Sequence, residues 1–477
     1  MGSEAQYENA MVLNVEEGEY SEPVSPTGQY FNSSALSICV LGVLDSEIPI
    51  DDSPTMKLLK DVFLPINPRF SSVMVQDENG AKQWKKVEAK LVDHVNVPVF
   101  PPGLSPESYD NYLSDYLSKI ATEQLPQNRP LWNIHIIKYP TSNAAGNLIF
   151  KLHHALGDGY SLMGALLSCL QRAENPSVPL TFPALSFARN LSENSNSVFR
   201  RLCSVFNTLS DFGWSLLKSS FLEDDRTLIR SGDAGVEFKP VVISTMTFSL
   251  DHIKQIKTKL GVQTINDAIT GIIFFGTRLY MQGTSSDKLS NEHSTALVLL
   301  NTRTIGGYKS VKEMVKPDAD STWGNRFGFL HVSLPELAST AESCNPIEFI
   351  RKAHKLIQRK RNSKAVFFTG QLLEGLRKYR GPEATAKYIH STLKNSSMTI
   401  SNLIGPVERM ALADHPIKNL YFMVVGVPQS LTITMVSYMG KLTVAIGTEK
   451  DFVDPQKFKS SVENAFQMML KAAQAIA

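Results

Sequence analysis

Little in this sequence points to a metal, a disulfide or a secretory route. The 477 residues hold four cysteines, Cys39, Cys169, Cys203 and Cys344. They are scattered, with no CxxC pair and no histidine at zinc spacing. That argues against a disulfide framework or zinc module and fits a reducing compartment. Basic residues are missing before Lys57, while Glu4, Glu8, Glu16, Glu17, Glu19 and Glu22 crowd the start. A secretory signal needs a basic start and an apolar run, so none is expected. Gln6 stands where a myristoylation motif wants Ser or Thr. Residues 1–20 read as a disordered acidic tail. No apolar run reaches the roughly 18 residues that span a bilayer. The formal net charge of +2 gives no global field, so nucleic acid is not an expected partner.

What is present suits a soluble globular protein, with 43% hydrophobic and 20% charged residues. The length exceeds one ordinary core and allows two. Residues 34–43 read as a strand and 53–63 as a helix. Residues 132–139 alternate Trp132, Ile134 and Ile136 against Asn133, His135 and Ile137, which predicts a half-buried strand. A short strand at 147–152 runs into His153 and His154, and a helix follows from near Tyr160. Residues 174–197 are rich in Pro, Ser and Asn and read as a linker. Residues 198–222 space apolar side chains three or four apart, an amphipathic helix that either packs on the body or lies on a membrane surface. Thr264 and Asp267 predict a capping pair for a helix from Ile265. Strands and helices alternate in both halves, so the expected class is α/β with two layered domains. The expected division is a tail at 1–20, an N-terminal domain at 21–197, a helix and linker at 198–238, and a C-terminal domain at 239–477.

The stretch that carries chemistry is His153-His154-Ala155-Leu156-Gly157-Asp158-Gly159. A histidine at the lip of a sheet can face a cavity. Its neutral imidazole accepts a hydroxyl proton near pH 7. An alcohol activated in that way attacks a carbonyl without a covalent enzyme intermediate. Asp158 sits four residues on, and Gly157 and Gly159 are read as permitting a sharp turn that returns its carboxylate beneath the loop. The metal reading is weak, because two adjacent ligands on a strand point apart and no third is evident.

The run HHALGDG resembles the HHxxxDG signature of the wax ester synthase/diacylglycerol acyltransferase family, especially its plant members. Other pieces match in family order: Ser25-Pro26 with Phe31, Arg129-Pro130-Leu131-Trp132, Asn266-Asp267, Asn301-Thr302-Arg303, Gly324-Asn325 with Gly328, and Ser401-Asn402-Leu403-Ile404-Gly405-Pro406. The last has Leu-Ile where the family has Val-Pro. The match runs from about residue 22 to the C-terminus. It implies two similar α/β domains like those of other CoA-dependent acyltransferases, with mixed sheets and the active site in a channel between them. It implies His154 as general base, His153 as structural and Asp158 as keeper of site geometry. Acyl-CoA is the implied donor, a substrate rather than a cofactor, and no cofactor or metal is expected. A long-chain alcohol or diacylglycerol is the implied acceptor. The expected location is the cytosolic face of the endoplasmic reticulum membrane.

A thioester attacked by an alkoxide develops an oxyanion that wants fixed donors. Asn266, at a helix start, is the candidate donor, against a plain capping role; Asn402 is a second candidate. Arg303 is read as a partner for Asp158 that ties the domains together, against an ordinary solvated arginine. Asp211-Phe212-Gly213-Trp214 looks like the DFGW of plant acyltransferases acting on phenolic acceptors, but it lies too close behind the histidine motif and reads as coincidence. The basic run Arg351, Lys352, Lys355, Arg359, Lys360, Arg361 and Lys364 reads as a solvated face. His94, His135, His252, His293, His331, His354, His390 and His415 lack flanking patterns and read as structural. Two competing functions remain: an acyltransferase with a soluble phenolic-type acceptor, and a non-catalytic lipid-binding protein on the same fold.

Overall fold

The computed structural model describes residues 21–76, 82–178, 180, 198–284, 292–303, 311–314, 323–337 and 345–476. The acidic tail read at 1–20 and most of the linker read at 174–197 lie outside them.

Two large sheets organise the chain. The first has seven strands in the spatial order Val95–Asn96, Trp132–Ile137, Gly146–His153, Cys39–Ser46, His415–Val425, Met410–Leu412 and Leu170–Arg172. The second has six: Phe327–Ser333, Thr295–Asn301, Met398–Ile404, Leu431–Tyr438, Lys441–Glu449 and Val241–Ser249. Each mixes parallel and antiparallel pairs. The fold is therefore α/β with two mixed-sheet halves, as expected. Each half has its own apolar core. The helix Pro106–Thr122 buries Tyr109, Leu113, Leu117 and Ile120 in the first core. The helices Ile265–Thr284 and Pro455–Gln474 bury Ile269, Ile272, Val462 and Phe466 in the second.

The structure departs from the sequence reading in four places. The first strand is Cys39–Ser46, because Ser33 turns the chain back through a bond from its amide to Leu36 O. The strand Trp132–Ile137 is buried on both faces apart from Asn133, with Phe63 and Phe70 against Trp132 on one side and Tyr116 of the helix Pro106–Thr122 bonded to His135 on the other. The division at 21–197 and 239–477 does not follow the sheets strand by strand. Met410–Leu412 and His415–Val425 cross over and complete the first sheet, pairing with Leu170–Arg172 and Cys39–Ser46.

The fourth departure is the helix Val198–Ser220, which inverts ordinary amphipathicity over its second half. Thr208, Asp211, Ser215, Lys218 and Ser219 are buried, whereas Leu209 and Leu217 are exposed, as is Phe221 just beyond. Charge pairing fixes that orientation. Asp211 takes Lys360 at 2.9 Å and Arg359 at 3.2 Å. Lys218 reaches Asp224 at 2.6 Å, and Asp224 also accepts from Thr295 and Ser397. Rotating the helix would strand these buried charges, which costs more than leaving two leucines in water. Asp211 of the DFGW-like run is thus a structural anchor. The basic run divides as well: Arg359, Lys360 and Arg361 are paired, and Arg351, Lys352, Lys355 and Lys364 are exposed.

Candidate active site

The strand Gly146–His153 is buried along its whole length, between Trp132–Ile137 and Cys39–Ser46. Lys151, buried in its middle, donates to Ile120 O at 2.6 Å and to Glu123 O, satisfying carbonyls at the C-terminal end of the helix Pro106–Thr122. The strand delivers His153 and His154 to a short turn, and Asp158 starts the helix Gly159–Cys169 by accepting Ser161 N–H at 3.0 Å on Oδ1.

The two histidines have different surroundings. His153 is fully buried; its Nδ1 accepts Ala155 N–H at 3.1 Å, so its Nε2 carries the proton and donates to Ser37 Oγ at 3.2 Å. Both nitrogens are spent, and burial pushes the ring down to about 3. His154 is held by its backbone instead. Its N–H donates to Ile38 O at 2.8 Å, and its carbonyl accepts Asn325 Nδ2 at 2.8 Å. Its ring lies between Phe31 and Phe327, at centroid distances of 4.8 and 5.5 Å. The Nδ1 atom is buried with no hydrogen-bond partner among the described residues. Burial lowers the pKa of this ring, opposed by Asp158, its own carbonyl and the Asn325 side chain. The ring is therefore neutral at pH 7, the state a general base needs.

Asp158 is buried and does not hydrogen-bond the ring. Arg303 clamps it from the other half of the molecule, Nη1 to Oδ2 at 2.6 Å and Nη2 to Oδ1 at 3.2 Å. Arg326 N–H adds a bond to Oδ2 at 2.8 Å. Arg303 also donates to Gly324 O at 2.6 Å and covers the Tyr160 ring at 4.8 Å. Trp323 Nε1 donates to Leu156 O at 2.8 Å. The segment 323–326 thus lies across the histidine loop, with Gly324 at φ 124, a left-handed conformation only glycine holds cheaply.

The glycines of the motif play a different part from the one expected. Neither Gly157 nor Gly159 has a positive φ. They are small because neighbours are close: a Cβ on Gly159 would meet Leu403 Cδ2 at 3.1 Å, and one on Gly157 would meet Ser161 Cβ at 2.9 Å.

Asn266 and Asn402 are brought together, with Asn402 Nδ2 donating to Asn266 Oδ1 at 3.0 Å. This pair makes no hydrogen bond with His154 among the described residues. Asn266 is not the cap of its helix; Thr264 Oγ1 takes that role by accepting Asp267 N–H at 3.0 Å. Asp267 does not complete a capping box, because its buried carboxylate is held by Arg361 at 2.9 and 3.2 Å and lies 3.3 Å from His354. The Asn266 amide oxygen thus accepts from Asn402, which orients its NH2 group.

Sequence reasoning missed Asn325, Trp323 and the Phe31–Phe327 walls as site residues. Gly324-Asn325 was recognisable as a turn, but nothing in the sequence says that it lands on His154, 171 residues away. Among the described residues no three His, Cys, Asp or Glu side chains gather as a metal site. Among the described residues no helix is long and apolar enough to cross a membrane.

Comparison with known proteins gives a consistent picture. A family model described as the wax ester synthase/diacylglycerol acyltransferase catalytic domain matches residues 63–269, and the C-terminal domain model of the same family matches 323–470. Wax ester synthase/diacylglycerol acyltransferase 4 of Arabidopsis thaliana is 29% identical, covering 97% of this chain and 92% of its own. Number 6 of that series is 28% identical over 96% and 95%. Among solved structures, a wax ester synthase/diacylglycerol acyltransferase from Marinobacter aquaeolei superposes with a TM-score of 0.59 at 15% identity, covering 95% of this chain and all of that one. The starter condensation domain of rhizomide synthetase, solved with C8-CoA and Leu-SNAC, gives 0.52 at 11% identity, covering 96% and 95%. Both structural likenesses concern the fold.

Proposed function

The chain belongs to the wax ester synthase/diacylglycerol acyltransferase family and is an acyltransferase, and from that premise we propose that it esterifies long-chain fatty alcohols with acyl-CoA, with diacylglycerol as a second acceptor. The observation that carries this reading is a neutral, buried His154 with aromatic walls, at a loop gripped by both halves of the molecule. In the proposed reaction His154 Nε2 takes the hydroxyl proton as the alcohol oxygen attacks the thioester carbonyl. The oxyanion collapses, the C–S bond breaks, and the CoA thiolate takes the proton back from the imidazolium. The products are an ester and free CoA. Asn266, its amide turned by Asn402, is the proposed donor to the oxyanion. Neither a cofactor nor a metal enters the proposed reaction.

Acceptor choice is the test. Purified protein with a long-chain acyl-CoA is offered a fatty alcohol, a diacylglycerol and a soluble phenolic, and ester is measured with released CoA. Phe31 and Phe327 flank the ring with hydrocarbon, so the fatty alcohol is expected to give the highest kcat/KM. Preference for the phenolic would defeat the reading, and acyl-CoA binding without CoA release would favour a non-catalytic protein.

A membrane surface, at the cytosolic face of the endoplasmic reticulum, is the proposed setting. The outward apolar side of the second half of the helix Val198–Ser220 supports it, with Phe367 and Phe368 of the helix Ala365–Lys394 also exposed and Phe368 5.8 Å from Phe212. Exposed Arg351, Lys352, Lys355 and Lys364 on the neighbouring elements complement anionic headgroups. Burying a leucine or phenylalanine stabilises by about 1.5–3 kcal/mol. Leu217→Gln with Phe221→Gln is therefore expected to weaken binding to anionic vesicles roughly tenfold or more. Unchanged flotation of that double variant with vesicles would remove this face from the proposal.

A further inference from the structure

We propose that Asn325 is the positioning residue of the base: its amide spans the His154 carbonyl and the ring Nδ1, and so selects the tautomer that leaves Nε2 bare. The proposal rests on the reading of His154 as the base and supplies the third group that an acid–base pair of this kind requires.

The geometry carries it. Asn325 Nδ2 donates to the His154 carbonyl oxygen at 2.8 Å in a buried setting. That bond fixes which way the amide points, because a flipped amide would set two oxygens against each other. The remaining amide atom, Oδ1, is buried and has no hydrogen-bond partner among the described residues. The same is true of His154 Nδ1. Two complementary buried atoms are thus unpaired on two residues already joined by a hydrogen bond. Native structures seldom leave such atoms unsatisfied. A neutral imidazole has one N–H. Placed on Nδ1, it gives Oδ1 the donor it lacks and leaves the Nε2 lone pair for a substrate hydroxyl. Placed on Nε2, it leaves both buried atoms as acceptors without a donor and removes the base. Burial lowers the basicity of the ring, and Asp158, the residue's own carbonyl and the Asn325 side chain raise it; the proposal assigns the last of these to the amide oxygen.

The same contact gives Asp158 and Arg303 a route to the ring that they do not touch. Both hold the residues on either side of Asn325: Asp158 accepts Arg326 N–H, and Arg303 and Ser161 bind Gly324 O at 2.6 and 3.0 Å. Asn325 is thereby delivered to His154 by the ion pair between the halves.

The test is the pH dependence of kcat/KM in Asn325→Ala and Asn325→Asp, beside wild type. Both variants are expected to lose roughly ten- to a hundredfold in kcat/KM, the scale of a misplaced catalytic group. A structural defect alone would do that too, so the pH profile decides. Protonated His154 is inactive, so the rate falls on the acid side. Removing the acceptor in Asn325→Ala moves that limb to lower pH, and the carboxylate in Asn325→Asp moves it to higher pH. Limbs that stay at the wild-type position in both variants overturn the proposal. Where a variant does not fold, 15N spectra of histidine-labelled wild type decide, with the His154 signals identified by their loss in His154→Gln. The proton is expected on Nδ1, and a proton on Nε2 overturns the proposal. Failure of the base reading itself looks different: His154→Gln would then retain near-wild-type turnover.

Discussion

Arg303→Ala is expected to lower the unfolding free energy by about 3–5 kcal/mol, the usual scale when one member of a buried ion pair is removed. The Arg303–Asp158 pair is 1% and 6% exposed at its side chains. Without the guanidinium, the Asp158 carboxylate stays buried with the Ser161 and Arg326 amides as its remaining donors among the described residues. The Gly324 carbonyl loses its 2.6 Å partner at the same time. Asp158→Ala should be equally severe, since it strands Arg303 and removes the helix cap. Asp158→Asn keeps the Ser161 amide bond and should fall between. The double replacement Asp158→Asn with Arg303→Leu should cost less than the sum of the singles, because no unpaired charge remains. Urea unfolding at pH 7 measures all four. A loss below about 1 kcal/mol for Arg303→Ala would mean that the pair does not join the halves.

How much of this was legible beforehand differs residue by residue. HHALGDG could be placed at a strand end before a helix because the apolar run 148–150 and the capping Asp158 are local signals. Arg303 as a partner for Asp158 was legible as a candidate, since an isolated buried carboxylate needs a cation. Asn266 and Asn402 were each singled out, yet only the coordinates join them. Asn325 escaped because its target lies across the interface between the halves, and sequence spacing carries no record of that. The inverted helix escaped for a related reason. A hydrophobic pattern defines two faces of a helix but not which one packs, and here Asp211 and Lys218 decide through partners at Lys360 and Asp224. The crossover of 410–425 into the first sheet was hidden because its strands look like those that follow it. The role of Gly157 and Gly159 was misread because close approach and turn formation leave the same letter in a sequence.

The second large effect concerns His154 alone. Apart from the proposed bond to Asn325 Oδ1, its ring contacts are the Phe31 and Phe327 faces. Truncation should therefore leave the fold nearly intact, as the His154 backbone bonds to Ile38 and Asn325 do not involve the side chain. What is lost is the proposed proton acceptor. A positioned base contributes about a hundred- to ten-thousandfold. His153 cannot replace it, since its Nδ1 is taken by the Ala155 amide and its Nε2 carries the proton. The direct measurement is the turnover of fatty-alcohol ester synthesis by His154→Ala, with its unfolding midpoint determined on the same preparation. The expected result is a fall of about two to four orders of magnitude at an unchanged midpoint. Near-normal ester synthesis by the folded variant would contradict the assignment of His154 as the base.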